Sequence, residues 1–497
     1  MRADPAAPAR PPGPSRSFEA EPSLPSSTRQ WRLDVPGWIL VATLIFAPWA
    51  YGSTRPWTIQ ILNVLIFTAV GAWLVGSLVE RRWPALPWLL FTVVSLLLVQ
   101  GWWMTLNSGF SYDHSFQPHP RSRWFVRLPG AVDYAAAKPA MITITAMLGT
   151  ICVALDLCRH RRWRKRFLLT LALTGVSISL LGLIQKVTHA PGIFWQREGH
   201  APTFFGPYRY HANAGAYLNL VWPIVGAFLV QSVRRGASLG KSAFWGVSFV
   251  CCIAGALANT SRASGLIAVL MLITLGTFVG WRIIRRRSEM VEARAGIAVG
   301  LLLLALVLTI VGLGGLDVTL RRWKTVEQEF TLSNSRLMAA EVCLQMLPQS
   351  GWLGFGPGTF RTAFPFFNKD TSDATRGVWL HAHQDYLQTL VEWGWLGAAL
   401  WAVLLPGVIL VRAWDLVRTP AGIGDRLFVG ATLAAVGSAL VHAFGDFPLQ
   451  IASLQLIVAV LTGLLWAETN RSCVSSDGKP SRDRARHEET VQSLVNA

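Results

Sequence analysis

The chain has 497 residues, of which 52% are hydrophobic and 14% charged, against roughly 25% charged in ordinary soluble domains. With a mean hydropathy of +0.39, it points to lipid as the solvent and away from the string of soluble domains that its length alone would allow. A formal net charge of +18 does not mark a nucleic-acid partner. The basic residues sit in short segments between apolar stretches, and no RRM, zinc-finger or helix-turn-helix pattern is present.

In chain order, residues 1–34 are rich in Pro, Ala, Ser and Arg and lack an apolar period, so they read as a disordered tail. No apolar region follows their first basic residues closely, which argues against a cleavable signal peptide. Apolar stretches close to the roughly 20 residues needed to cross a bilayer then recur. They predict twelve spans, near 35–52, 57–79, 84–106, 138–158, 167–189, 212–232, 242–260, 263–282, 296–316, 386–411, 427–445 and 448–467. Continuous apolar runs of this length fit helices and not the short alternating strands of a barrel. The expected organisation is nine spans over 35–316, a large loop over 317–385, three spans over 386–467 and a polar tail over 468–497.

If the N-terminus is cytoplasmic, most of the 45 Lys and Arg residues fall on the cytoplasmic side, the densest run being 159–166. Both termini are then cytoplasmic. The six cysteines, at 152, 158, 251, 252, 343 and 473, form neither a disulfide framework nor a zinc spacing. Three segments on the far side remain as places for chemistry: 107–137, 190–211 and 317–385. The last is too polar to span and too long to be a plain connector. Within it a short surface helix is expected over 334–347, stopped by Pro348 and Gly351. The sequence Gly354-Phe-Gly-Pro-Gly-Thr-Phe360 reads as a tight turn; it lacks the Lys-Ser/Thr of a nucleotide-binding P-loop.

The densest polar cluster is Trp379-Leu-His-Ala-His-Gln-Asp-Tyr-Leu387, directly before the tenth span. His381, His383 and Asp385 alternate, so they share a face in a strand but not in a helix. Three readings are open: polar residues at the end of a span; a metal site, which would want more ligands; and a general base at the membrane surface, since His titrates near neutrality. Glu392 and Asp385 are candidate orienters of His383, and Asp446 reads as a turn residue or as the partner of an arginine. Arg209, Arg262 and Arg336 all lie on the same side as the histidines. Guanidinium groups match phosphate oxygens and stay charged when partly desolvated, so a lipid diphosphate is a candidate ligand; the competing reading is that they only snorkel.

These residues resemble the O-antigen ligase and polymerase family, which acts on polyprenyl-diphosphate-linked glycans. The most specific likeness is His383-Gln384, nine residues, then Gly394-Trp-Leu-Gly397. Asn334-Ser-Arg336, the 354–360 turn, Ser261-Arg262, Asp446-Phe-Pro-Leu449, Arg209 and Asn213-Ala-Gly-Ala-Tyr-Leu218 add to it. The likeness covers roughly 205–450; Tyr208-Arg-Tyr-His211 departs from relatives that carry asparagines around the arginine. The resemblance implies an all-α polytopic protein of the bacterial inner membrane, about twelve helices with one large periplasmic loop, GT-C-like. It implies a metal-independent, inverting glycosyl transfer without a cofactor. On that model Arg209 and Arg262 hold the donor diphosphate and stabilise its departing charge, and His383 orients or deprotonates the acceptor hydroxyl. Arg336, His381, Gln384 and His211 are further candidates for substrate contact. The acceptor, whether lipid A-core, another lipid-linked repeat or a protein, is not chosen by the signature. The alternative of another class is a multi-pass transporter or flippase for a lipid-linked or anionic substrate; an internal repeat would favour it, and none is seen.

Overall fold

The computed structural model describes residues 28–196, 203–285, 335–368, 379–418 and 423–475. They form a helical bundle with a single two-stranded ribbon. The helices are α1 Thr28–Trp49, α2 Pro56–Val79, α3 Trp88–Leu106, α4 Tyr134–Cys158, α5 Arg161–Val187, α6 His211–Arg234, α7 Leu239–Ala258, α8 Arg262–Arg285, α9 Ser335–Ser350, α10 Asp385–Ala402, α11 Val408–Arg418, α12 Ile423–His442 and α13 Ala452–Ser475. The ribbon pairs β1 Phe110–Tyr112 with β2 Pro118–Pro120.

Among the described residues seven helices are long and apolar enough to cross a membrane: α2 to α7 and the continuous stretch Asp385–Arg418. The apolar parts of α8, α12 and α13 are shorter. The chain is therefore a polytopic, all-α membrane protein. The expected span over 296–316 lies outside the described residues, as do residues 1–27 and 476–497. Helix α1 begins at Thr28, so the last part of the expected 1–34 tail is helical, and α13 continues past 467 into the expected tail.

Helices α4, α6 and α13 form the centre. Helix α6 is buried on nearly every side, from Ala212 to Val225, as expected of a helix that is apolar all round. Helices α4 and α13 meet at Gly463, where a Cβ would lie 2.7 Å from Ile151 O and 2.8 Å from Ala154 Cβ. One end of the bundle carries the dense basic run 159–166. There Arg32 donates to Asp156 (2.7 Å), which also accepts from Trp73 Nε1 (2.9 Å), and Arg162 pairs with Asp34 (3.2 Å). The opposite end carries the loops between α1 and α2, α3 and α4, α5 and α6, α7 and α8, and α12 and α13, with α9 and the segment before α10.

These loops are pinned to one another by buried polar groups. Asp133 accepts from Ala135 N as the N-cap of α4, from Tyr112 N and from Thr362 Oγ1. Asn107 gathers the carbonyls of Phe125, Leu128 and Pro129. Tyr208 OH meets Ser453 Oγ, which donates to Gly52 O, tying two loops to the start of α13. Each such bond satisfies a buried group whose loss of partner costs about 1–3 kcal/mol, so this end is a fixed surface.

Candidate active site

The segment before α10 is built around a break. Helix α10 runs through Trp393, but Gly394 has φ +64° and ψ −172°, a conformation that side-chain-bearing residues avoid. The chain of 351–356 lies in the gap. Phe355 N donates to Val391 O and Gly356 N to Glu392 O, each at 2.9 Å, while Leu396 N donates to Trp352 O at 3.1 Å. Trp393 O accepts from Gln100 Nε2 of α3 at 2.7 Å. Backbone groups freed by a helix break in lipid must find partners, and these do. The glycine of the Gly394-x-x-Gly397 signature is required because its backbone touches that of Gly354, where either Cβ would overlap main chain. Gly394→Ala is expected to destabilise by about 1–3 kcal/mol from backbone strain alone, read as a lower unfolding midpoint of the detergent-purified protein. An unchanged midpoint would refute this account of the signature.

Glu392 holds the same loop. Its carboxylate accepts from Gly358 N (2.9 Å), Phe360 N (3.2 Å) and Gln388 Nε2 (3.1 Å). Asp385 is also committed elsewhere, accepting from Leu449 N (2.8 Å) and Gln450 Nε2 (3.1 Å) at the head of α13. Neither carboxylate is positioned on His383. That partner is Asp446, whose Oδ1 lies 3.2 Å from His383 Nδ1.

His383 has φ +53°, in the left-handed region where non-glycine residues are uncommon and His is among the enriched exceptions. The turn is held on both sides, by Ala382 N donating to Gln388 Oε1 (3.1 Å) and Asp385 N donating to Ala443 O (3.0 Å). It aims His383 and Asp385 in different directions. Asp446 is nearly buried while His383 is about a quarter exposed. Asp446 Oδ1 also accepts from Phe447 N, and Oδ2 accepts from Tyr210 OH at 3.0 Å. Arg336, at the start of α9, donates to Tyr210 OH (3.0 Å) and to Gly445 O (3.2 Å). A chain Arg336–Tyr210–Asp446–His383 thus runs across three loops and the start of α9. Burial works against ionising Asp446, but the hydrogen bond from His383 and the Arg336 charge outweigh it and hold its carboxyl below the usual range. With Nδ1 turned to an ionised carboxylate, the second nitrogen, Nε2, has no hydrogen-bond partner among the described residues.

Aromatic rings frame the pair. Phe447 is stacked by His381 at 4.5 Å and by Tyr210 at 5.7 Å, and its ring meets His383 edge-on at 4.7 Å. Burial, with repulsion from His383, pushes His381 down to about 4, so it is neutral at physiological pH. Gln384 precedes α10 and its Oε1 is buried without a hydrogen-bond partner among the described residues.

Arg209 and Arg262 stand at the starts of neighbouring helices on this same end. Arg209 is exposed at the bend before α6, a bend fixed by the bridge Phe205–Tyr208 and by Gly206 at φ +58°. His211 is the first residue of α6, its ring against Tyr210. Arg262 opens α8 after a tight turn in which Asn259 caps α7 and Ser261 Oγ accepts from Ser264 N. Thr260 in that turn has φ +67°, an outlier for a β-branched residue. The turn packs on α6 at Gly215, where a Cβ would overlap Ser264, and Asn219 donates to Ser264 O at 3.0 Å.

The structure therefore brings His383, His381, Arg336 and the His211–Tyr210 step into one cluster, with Arg209 and Arg262 on adjacent helix starts. Tyr210, Asp446 and Phe447 complete it; of these, Asp446 and Phe447 belong to the Asp446-Phe-Pro-Leu449 likeness, and only Asp446 was singled out as a candidate partner. The expected surface helix is α9, which includes Pro348 and buries Val342, Cys343 and Met346 while Leu337 and Leu344 face outward. Among the described residues, no three His, Cys, Asp or Glu side chains gather as a metal-holding group.

A family comparison matches residues 247–402 to O-antigen ligase. The match takes in Arg262, Arg336, His381, His383, Gln384 and the Gly394 break, and it supports assignment to the O-antigen ligase and polymerase family. None of the curated proteins compared with the chain matches it.

Proposed function

Taking the O-antigen ligase match as premise, we propose that the chain transfers glycan from a polyprenyl-diphosphate-linked donor to an acceptor hydroxyl. The reaction takes place on the outer face of the bacterial inner membrane, in a GT-C-like bundle of twelve spans with both termini cytoplasmic. The observation that carries this reading is the His383–Asp446 pair, with Nδ1 bound to the carboxylate and Nε2 left for a substrate proton.

In this scheme His383 Nε2 removes the proton of the acceptor hydroxyl as its oxygen attacks the anomeric carbon of the donor. The bond from that carbon to the diphosphate oxygen breaks, the configuration inverts, and polyprenyl diphosphate leaves. The proton stays on His383 as an imidazolium paired with Asp446. Arg209 and Arg262 receive the growing negative charge on the diphosphate. They sit at the starts of α6 and α8, neither of which has an acidic residue in its first turn, and helix starts favour anions. Arg336 keeps Asp446 ionised through Tyr210, while His381, His211 and Gln384 line the approach of the sugars. No step calls on a metal or a cofactor.

Reconstitution with an undecaprenyl-diphosphate glycan and separate candidate acceptors tests the scheme. Arg209→Ala and Arg262→Ala are each expected to lower transfer by about 10²–10³-fold, the cost of removing one preorganised donor to a developing anion, and wild-type transfer is expected to persist with chelator. Full activity in both variants would overturn their assignment. Lengthening of the donor itself would identify a polymerase, and transfer to lipid A-core a ligase.

A further inference from the structure

A cavity of about 1200 Å³ lies between α2, α4, α10 and α13, above the roughly 300–1,000 Å³ of ordinary small-molecule sites. Its walls are mostly apolar, with Phe67, Ile144, Leu148, Trp401, Leu405 and Val458 among them. Along α4 its lining runs from Lys138 to Ile151, which at 1.5 Å per residue is about 20 Å. That exceeds one leaflet, half of a hydrocarbon core of about 30 Å. Next to Ile151, α4 and α13 are in close contact at Gly463.

The rim is different in character. Lys138 and Arg361 both line the cavity at the loop end, and neither forms an ion pair among the described residues. Arg361 Nε is buried without a hydrogen-bond partner among them, the guanidinium otherwise facing the Phe116 ring. Two carboxylates, Asp385 and Glu392, also reach the lining, but both are occupied by the bonds already described. A long apolar slot with two cations at its mouth fits one kind of molecule, an anionic amphiphile whose chain enters and whose head stays at the surface.

The slot is not the arginine site. None of Arg209, Arg262, Arg336, His383 or Asp446 lines it; the shared border is His381, which stacks on Phe447 beside His383. We propose that this cavity is a second lipid-binding site, holding the hydrocarbon chain of an anionic lipid with its head group at Lys138 and Arg361. On the glycan-transfer reading, and resting on it, this is where a lipid-borne acceptor reaches His383 from the side away from the diphosphate.

The test uses the full-length protein in phosphatidylcholine vesicles containing a trace of phosphatidylglycerol with a photoreactive diazirine on its acyl chain. Crosslinks are mapped by mass spectrometry, without donor or turnover, so a failure of glycan transfer leaves the measurement untouched. Labelling is expected at Met147, Ile151 and Val458, above that of outward-facing Leu410. It should fall about tenfold or more in Lys138→Ala/Arg361→Ala, where two cations are lost, and disappear in the cavity-filling Ala398→Trp. Competition by excess unlabelled phosphatidylglycerol or by a polyprenyl diphosphate is expected, and whichever competes better names the source of the chain. Equal labelling of these residues by a diazirine-phosphatidylcholine, or labelling unchanged in the double variant, would mean ordinary boundary lipid only and would overturn the proposal.

Discussion

His383→Ala is expected to lower the rate of glycan transfer by about 10²–10⁴-fold, the usual contribution of a positioned general base, with KM for the donor little changed. The donor diphosphate is assigned to the arginines, so removing the imidazole removes an interaction made on the way to the transition state. Alanine also brings a backbone effect. At φ +53° alanine lacks the tolerance that His shares with Asn and Asp, and a loss of folded protein could pass for a loss of catalysis. His383→Asn separates the two, because Asn tolerates the left-handed region yet cannot accept the proton. The asparagine variant is expected to keep the wild-type unfolding midpoint and to be as inactive as the alanine variant. Wild-type turnover in His383→Asn would rule out a base at this position.

The bundle was legible because a membrane span announces itself in composition. Among the described residues, seven of the expected spans fall on helices long and apolar enough to cross a membrane, three more (263–282, 427–445 and 448–467) on helices whose apolar parts are shorter, and 35–52 on α1. Hydropathy is blind, however, to what the backbone does inside an apolar run. The stretch 386–411 reads as one uninterrupted span, and nothing in its polarity tells that Gly394 breaks it or that Pro406 falls in a π-helical turn, Val403–Gly407. The partner of His383 was hidden for a similar reason. Asp385 and Glu392 are near in sequence and so were the natural candidates, but the left-handed turn at His383 sends Asp385 toward Leu449. The carboxylate that His383 meets comes from 63 residues further on. Tyr210 carried no signal because its role is to connect Arg336 to Asp446, and connection is a property of the fold. The cavity is made of the gaps between four helices, which no single segment records.

Asp446→Asn tests the electrostatics of the pair. In the wild type Asp446 Oδ1 takes the Nδ1 proton of His383 at 3.2 Å, and Oδ2 takes that of Tyr210 OH at 3.0 Å. An amide must present a donor at one of these places. Facing His383, it forces the imidazole proton onto Nε2 and removes the lone pair meant for the acceptor hydroxyl, the tautomer fault known from catalytic triads. Facing Tyr210, it breaks the link to Arg336. In both cases the negative charge that stabilises the imidazolium is gone, and kcat is expected to fall about 10²–10⁴-fold. The stability difference has a defined pH dependence. The folded-state pKa of Asp446 is depressed, so its contribution is complete above the unfolded value of about 3.9 and is lost as pH falls through the lower folded value. His381, pushed down to about 4, costs stability as pH falls from about 6.5, because the unfolded state takes up the proton first; the Asp446 charge counters part of that push, so Asp446→Asn loses more than the wild type over this range. The gap in unfolding midpoint between wild type and Asp446→Asn should therefore hold or widen from about pH 8 to 5 and narrow only below about pH 4. A gap that already closes between about pH 6 and 5 would show that Asp446 is not held ionised by His383 and Arg336. A variant with wild-type kcat would remove it from the reaction.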